Sequence, residues 1–199
     1  MKMTTRTPYL SDTPPPLTIP LPPEPDNHWL PDLYTEAMTR PDLWQGPIEK
    51  ELAVMHERNV WKIVDPSPDV RLVKTCWTFA NKYDGDGRLD ARKARLVAKG
   101  FTQIPGVDFY ESYTSVIRYE SLHMNLAIAA AKNMEAWQID YVAAYLNAKP
   151  QATVHIELPE GAKVEGKIGL LQKSLYGTMD GAANWWRTLD KDMKELGYC

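Results

Sequence analysis

A strong β-hairpin signal near the middle of the chain limits most tightly how this sequence can fold. The segment from Arg71 to Tyr83 is rich in the aromatic and β-branched residues that favour strands. The tetrad 84–87, Asp-Gly-Asp-Gly, supplies the residues of a tight turn, and a partner strand resumes from Arg88 to Gly100. The sequence therefore predicts a long hairpin that the rest of the fold has to accommodate.

The acidic turn could also suggest a calcium loop, because closely spaced carboxylates can converge on one cation. Asp84, Asp86 and Asp90 are spaced in this way. The bidentate carboxylate that closes such a loop would have to stand at position 95, which is an arginine. A plain turn is therefore the preferred interpretation.

Around the hairpin, helices and strands are mixed without regular alternation. Apolar spacing predicts helices over about 31–40, 42–59, 119–133 and 181–196, and further strands over 137–141, 154–158 and 168–172. The helix over 119–133 has a small-residue face suited to packing on a sheet, and 137–141 has the composition of a buried strand. This mixture favours an α+β fold.

The first 31 residues contain nine of the chain's 16 prolines. Proline fixes φ and removes a backbone donor, so we expect a disordered, extended tether over 1–31 and one domain over 32–199. A ligand for a proline-recognising module is the alternative interpretation of the tether.

Composition excludes several classes of protein. The longest apolar run, Leu126 to Ala131, is far shorter than the roughly 20 residues of a membrane-spanning helix, so we expect no membrane association. The sequence has only two cysteines, which does not suit a secreted disulfide framework, and it does not open with the charged and then apolar residues of a signal peptide. We therefore expect an intracellular location, cytoplasmic or nuclear. A net charge of −3 argues against coating nucleic acid by bulk electrostatics, so local patterning has to carry any such function.

Positive charge is concentrated in the second hairpin strand. Strand alternation places Lys93, Arg95 and Lys99 on one face, while small and apolar residues occupy the other. Such a face can bind phosphates, since guanidinium and ammonium groups make charge-assisted hydrogen bonds to phosphate oxygens. The alternative is an ordinary solvated strand face.

Asp140 is the second feature with chemical potential. It ends the predicted buried strand over 137–141, where an ionised carboxylate needs a partner or a metal. Mg²⁺ is one candidate, because it is commonly held by one or two carboxylates and substrate phosphates. A helix cap or a salt-bridge partner is the alternative role.

The order of six sequence blocks resembles the reverse transcriptase domain of copia-type long-terminal-repeat retrotransposons. The likeness extends over about 34–198. The blocks are 44–64, Cys76-Trp77-Thr78-Phe79, 93–103, 106–109 with 115–118, 138–147, and Lys173-Ser174-Leu175-Tyr176-Gly177.

The resemblance implies the fingers and the first part of the palm of a right-hand polymerase. The hairpin would be part of the fingers, with Lys93 and Arg95 on the incoming nucleotide, and Lys99 and Arg92 on nucleic acid. Asp140 would match the first palm aspartate, a ligand of both catalytic Mg²⁺ ions.

Three more positions acquire roles from the same resemblance. Tyr141 would offer its backbone carbonyl to one metal ion. Tyr145 would match the aromatic residue that lies against the sugar and excludes a 2′-hydroxyl, although core packing is its alternative role. Asp180 stands where the family has a glutamine that helps to hold the nucleotide, and a carboxylate there would repel a triphosphate.

The sequence reaches Cys199 without the family's Tyr-Val-Asp-Asp motif. We therefore expect a truncated RNA-directed DNA polymerase domain. By resemblance, its partners would be an RNA template, a DNA primer and deoxynucleotides. By itself it would bind Mg²⁺ weakly or not at all and would not extend a primer. The alternatives are a non-catalytic remnant that binds nucleic acid through the hairpin, and an inert degraded copy that aggregates through exposed apolar surface.

Overall fold

A computed structural model describes residues 28–198, and it confirms the predicted α+β class. The helices are α1 (Tyr34–Ala37), α2 (Pro41–Glu57), α3 (Tyr119–Ala131) and α4 (Gly181–Glu195). The strands are β1 (Trp61–Val64), β2 (Leu72–Val73), β3 (Thr75–Tyr83), β4 (Leu89–Ala98), β5 (His155–Ile156) and β6 (Ile168–Leu171). Two short 3-10 turns cover Gly100–Thr102 and Ala144–Asn147.

The predicted hairpin is confirmed as an antiparallel, two-stranded sheet of β3 and β4. Its turn is held by Asp84, whose Oδ1 accepts hydrogen bonds from the backbone N–H of Asp86 at 2.9 Å and of Arg88 at 2.8 Å. Gly87 supplies a φ of +78°, which a side chain would disfavour. The carboxylate therefore serves the turn, as the preferred interpretation has it.

One face of β4 closes the hydrophobic core. Ala94, Leu96 and Ala98 alternate along this face and are all buried. They pack in one cluster with Trp44 and Met55, the apolar side of α2. The apolar residues that alternate along β4 and those at helical spacing along α2 thus share one core. The opposite face of β4 is left for polar side chains.

A second sheet supports the other side of the molecule. Its four strands have the order β1-β6-β5-β2, with β1 and β5 antiparallel to β6 and β2 parallel to β5. The strands predicted over 154–158 and 168–172 are therefore present in shorter form. The sheet fixes the start of the segment that runs from the end of β6 to α4.

This segment meets the end of β4 at two glycines. The backbone N–H of Ala98 donates to the carbonyl oxygen of Tyr176 at 2.7 Å. A Cβ on Gly177 would collide with the Ala98 carbonyl, and a Cβ on Gly100 would collide with the Gly177 carbonyl. Gly177 also has a φ of +83°. The close approach of the two backbones fixes where Tyr176 stands beside β4.

The prediction of a buried strand over 137–141 is wrong. Residues 134–141 have no regular structure, and Trp137 and Ile139 are 71% and 69% exposed. Apolar composition favours burial, but a strand also needs a neighbour that completes its backbone hydrogen bonds. Within residues 28–198 no strand pairs with this segment.

Helix α3 forms where it was predicted, but its small-residue face does not pack on a sheet. None of its residues is buried, although its sequence is apolar on several sides. A helix with that composition is usually an interior one. Several large apolar side chains of 119–142 are therefore exposed, among them Met124, Leu126, Trp137, Ile139 and Val142.

Most of the predicted proline-rich tether lies outside the described residues. Of the four described residues of that range, 28–31, His28 and Trp29 contact the body. His28 Nδ1 lies 3.0 Å from the Tyr83 hydroxyl, and the His28 carbonyl accepts a hydrogen bond from Asn81 at 3.0 Å. Trp29 packs against the core cluster.

Candidate functional site

A cavity of about 340 Å³ lies between α2, β4 and residues 142–146, and we call it the basic groove. Its cationic residues outnumber its acidic ones by five to one, Glu51 being the acidic residue. The cations are Lys50, Lys82, Arg92, Lys93 and Arg95. Such a charge balance favours a ligand that carries several negative charges.

The charges within the groove influence one another. Burial, together with the charges of Arg95 and Lys82, lowers the pKa of the Lys93 ammonium group. Burial raises the pKa of the Glu51 carboxyl, against the opposing effects of the Leu96 N–H and the Lys93 charge. Each shift favours the uncharged form of its own group. An anion bound among the cations would relieve the repulsion between the cations.

Glu51 has a structural contact as well as a charge. Its Oε1 accepts a hydrogen bond at 3.3 Å from the backbone N–H of Leu96, on the edge of β4 that faces away from β3. The side chain thus joins α2 to the hairpin edge. This contact lies on the side of the groove that presents Lys93 and Arg95.

Two tyrosines and an arginine form a stacked group at the groove. The Tyr176 ring lines the groove, and its centroid lies 5.1 Å from Cζ of Arg95. The Tyr145 ring is tilted against it, with 5.3 Å between the centroids. Burial raises the pKa of the Tyr176 hydroxyl. Sequence reasoning gave Tyr176 no role of its own, although it stands within a recognised block.

The turn that carries Tyr145 is anchored by Asn147, another residue that sequence reasoning missed. Asn147 Nδ2 donates to the carbonyls of Ala143 and Ala144 at 3.3 and 3.2 Å. Its Oδ1 accepts a hydrogen bond from Arg58 in the loop after α2. Ala143 has a φ of +53°, in the left-handed region. An asparagine at a tight turn was the available sequence signal.

The structure places Asp140 outside the basic groove. Its side chain is exposed, in the irregular segment before the Tyr145 turn, and two residues later Val142 lines the groove. The ring of Tyr141 packs edge-on against Trp185 at 4.9 Å. Across residues 28–198, no three His, Cys, Asp or Glu side chains are grouped so that they could hold a metal ion.

The other predicted site residues are distributed over the molecule. Arg92 lines the basic groove, and its guanidinium carbon lies 6.0 Å from the Trp44 ring centroid. Lys99 lines a different cavity, of about 250 Å³, which also includes Cys76. Asp180 is 1% exposed and accepts a hydrogen bond from Asn184 at 2.7 Å. The structure thus groups Arg92, Lys93 and Arg95, but it separates them from Lys99, Asp140 and Asp180.

No helix among the described residues has both the length and the apolar character needed to cross a membrane.

Comparison with known proteins gives a consistent result. Residues 58–199 match the family model described as reverse transcriptase (RNA-dependent DNA polymerase). Over 173 residues, 84% of the chain, the sequence is 33% identical to the retrovirus-related Pol polyprotein from transposon TNT 1-94 of Nicotiana tabacum. Over 159 residues, 78% of the chain, it is 30% identical to the retrovirus-related Pol polyprotein from transposon RE1 of Arabidopsis thaliana. Over 166 residues, also 78% of the chain, it is 31% identical to the transposon Ty1-DR5 Gag-Pol polyprotein of Saccharomyces cerevisiae.

No solved structure matches the chain. The chain spans 13%, 11% and 9% of the lengths of those three polyproteins, so it corresponds to a small part of each. The family match begins in the loop after α2 and includes the hairpin, the Asp140 segment and the Tyr176 segment. The resemblance inferred from the ordered sequence blocks is confirmed, and the chain belongs to the reverse transcriptase (RNA-dependent DNA polymerase) family, in the form carried by copia-type retrotransposons.

Proposed function

We propose that residues 32–199 supply the fingers and the first part of the palm of an RNA-directed DNA polymerase, with residues 1–31 as a tether. The basic groove is the observation that carries this proposal. It is lined by five cationic residues and one acidic residue, in a chain that belongs to this family. The proposed partners are an RNA template, a DNA primer and deoxynucleotides.

Within the groove, Lys93 and Arg95 bind phosphate groups of the nucleotide or of the template backbone. Arg92 adds to the local positive charge, and Lys99 contacts nucleic acid from the separate cavity that it lines. Tyr145 lies against the sugar of the nucleotide. Asp180 is buried and does not line the groove.

Asp140 is proposed as the first metal-binding aspartate of the polymerase, with the Tyr141 carbonyl beside it. Mg²⁺ requires about six oxygen ligands in octahedral geometry, several of them usually water and phosphate. The described residues do not fit such a site, because no group of three acidic, His or Cys side chains is found among 28–198. We therefore derive no metal-dependent step for these residues.

Primer extension tests the catalytic side of this proposal. We expect the 199-residue chain alone to leave a primed RNA template unextended in the presence of Mg²⁺ and all four deoxynucleotides, because two-metal nucleotidyl transfer needs several ligands around Asp140. Denaturing gel electrophoresis of a labelled primer is the measurement. Robust synthesis that Asp140→Asn abolishes would contradict the expectation.

A second candidate function, non-catalytic nucleic-acid binding, is favoured by the same groove, and a binding experiment tests the feature that both functions share. We expect the double variant Lys93→Gln/Arg95→Gln to bind a labelled RNA–DNA hybrid about tenfold more weakly at 50 mM salt, because it loses two phosphate contacts. Each single variant should reduce the slope of log affinity against log salt by about one. Fluorescence anisotropy between 50 and 200 mM salt measures both quantities.

The control variant Lys62→Gln/Lys132→Gln removes the same charge at exposed positions outside the groove. It should keep both the affinity and the salt slope of the parent chain. Equal losses in the two double variants would mean that net charge, rather than the basic groove, determines binding.

A further inference from the structure

The Tyr176 ring contacts two side chains, Arg95 and Tyr145. The Arg95 guanidinium carbon is 5.1 Å from the ring centroid, within the distance at which a cation is attracted to an aromatic face. The Tyr145 centroid is 5.3 Å away. We propose that Tyr176 is a positioning residue, which holds the Arg95 guanidinium and the Tyr145 ring in a fixed relation to each other at the basic groove.

The backbone around Tyr176 is fixed in a way that suits this role. Its carbonyl accepts the 2.7 Å hydrogen bond from Ala98, and the residue before it, Leu175, is fully buried. The Leu175 carbonyl accepts hydrogen bonds from the N–H and the hydroxyl of Thr178, at 3.2 and 2.8 Å. Since the backbone cannot shift easily, the ring offers a stationary surface to both neighbours.

The two contacts join separate parts of the fold. Arg95 belongs to β4, whereas Tyr145 belongs to the turn that Asn147 ties to Arg58. A nucleotide that meets Arg95 through a phosphate and Tyr145 through its sugar would require a set distance between them. Tyr176 supplies that spacing, and it does so through its ring rather than its hydroxyl.

The inference rests on the proposed phosphate-binding function of the groove. It is tested with inorganic tripolyphosphate and the 199-residue chain, by isothermal titration calorimetry. We expect Tyr176→Leu to bind tripolyphosphate about three- to tenfold more weakly, because the guanidinium loses its aromatic support. Tyr176→Phe should stay within about twofold of the parent chain, since it keeps the ring. Tyr110→Leu, at a 66% exposed tyrosine, is the control and should bind like the parent chain.

A second readout follows Arg95 directly and does not depend on any ligand. The Arg95 Nε–H signal in an NMR spectrum, assigned by its loss in Arg95→Gln, should move in Tyr176→Leu and stay in place in Tyr176→Phe. Tyr176→Met provides a longer side chain if the leucine variant does not fold, and the same changes are expected of it.

The outcomes separate the two proposals. Parent-like affinity together with an unmoved Arg95 signal in Tyr176→Leu would overturn the positioning role alone. A parent chain that does not bind tripolyphosphate would overturn the phosphate site, and the Arg95 signal would still decide whether Tyr176 orients that side chain. A phenylalanine variant as weak as the leucine variant would also overturn the role of the ring.

Discussion

Replacing Gly177 with alanine is expected to destabilise the fold by about 3 kcal/mol or more. Two costs combine at this position. A φ of +83° strains any residue with a Cβ, and the added carbon would also strike the carbonyl of Ala98. The backbone hydrogen bond from Ala98 to Tyr176 prevents the two segments from separating cheaply. Urea unfolding followed by circular dichroism measures the loss as a lower midpoint.

Gly106 provides a matched control for the conformational cost. It has a φ of +80°, yet a Cβ there would meet nothing within 4 Å. Gly106→Ala should therefore cost only about 1 kcal/mol, the usual penalty for a left-handed residue other than glycine. Similar losses in the two variants would show that the approach of β4 to the Tyr176 segment contributes little to stability.

Removing the carboxylate of Asp180 is the second change for which we expect a large effect. Asp180→Ala should reduce the free energy of unfolding by about 2 kcal/mol, because it deletes an acceptor inside the protein and leaves a small void. The lost partner is Asn184, whose Nδ2 donates to Asp180 at 2.7 Å and to Ser174 at 3.0 Å. Gln151 in turn donates to Asn184 at 2.8 Å, so the effect extends through a connected polar group.

Two further variants serve as controls for the Asp180→Ala measurement. Asp180→Asn retains the shape and an acceptor oxygen, so it should lose less than half as much stability as Asp180→Ala. Asp192→Ala removes an exposed carboxylate from the same helix and should change stability by less than about 0.5 kcal/mol. If Asp180→Ala unfolds at the same urea concentration as the Asp192 variant, the buried network does not stabilise the attachment of α4.

The hairpin could be predicted because local rules determine it. Alternation along β4 and the side-chain hydrogen bonds of Asp84 depend on neighbours a few residues away. The same reasoning correctly separated the buried face of β4 from the face that bears Lys93 and Arg95. Helices α2 and α4 were also foreseen, since their apolar spacing and flanking residues are visible in the sequence.

Predictions that depend on contacts between residues far apart in the sequence are less accurate. The apolar residues from Trp137 to Tyr141 suggested a buried strand, but burial requires a neighbouring element that sequence spacing cannot supply. Lys99 was assigned to the cationic face by alternation, yet β4 ends at Ala98 and the backbone of Lys99 leaves the strand with a ψ of 67°. Asp180 is assigned to the nucleotide site by its place in the sequence blocks, whereas the structure buries it and joins its carboxylate to Asn184.

The close contact between Gly100 and Gly177 limits which mutations a gene for this chain can accumulate. Every base change that replaces either glycine by another amino acid adds a Cβ that would collide with a carbonyl oxygen, that of Gly177 or that of Ala98. A substitution at either codon is therefore expected to disrupt the fold, whereas many substitutions at surface codons would leave it intact. Among genomic copies of such a sequence, those that have lost either glycine should encode a protein that folds poorly.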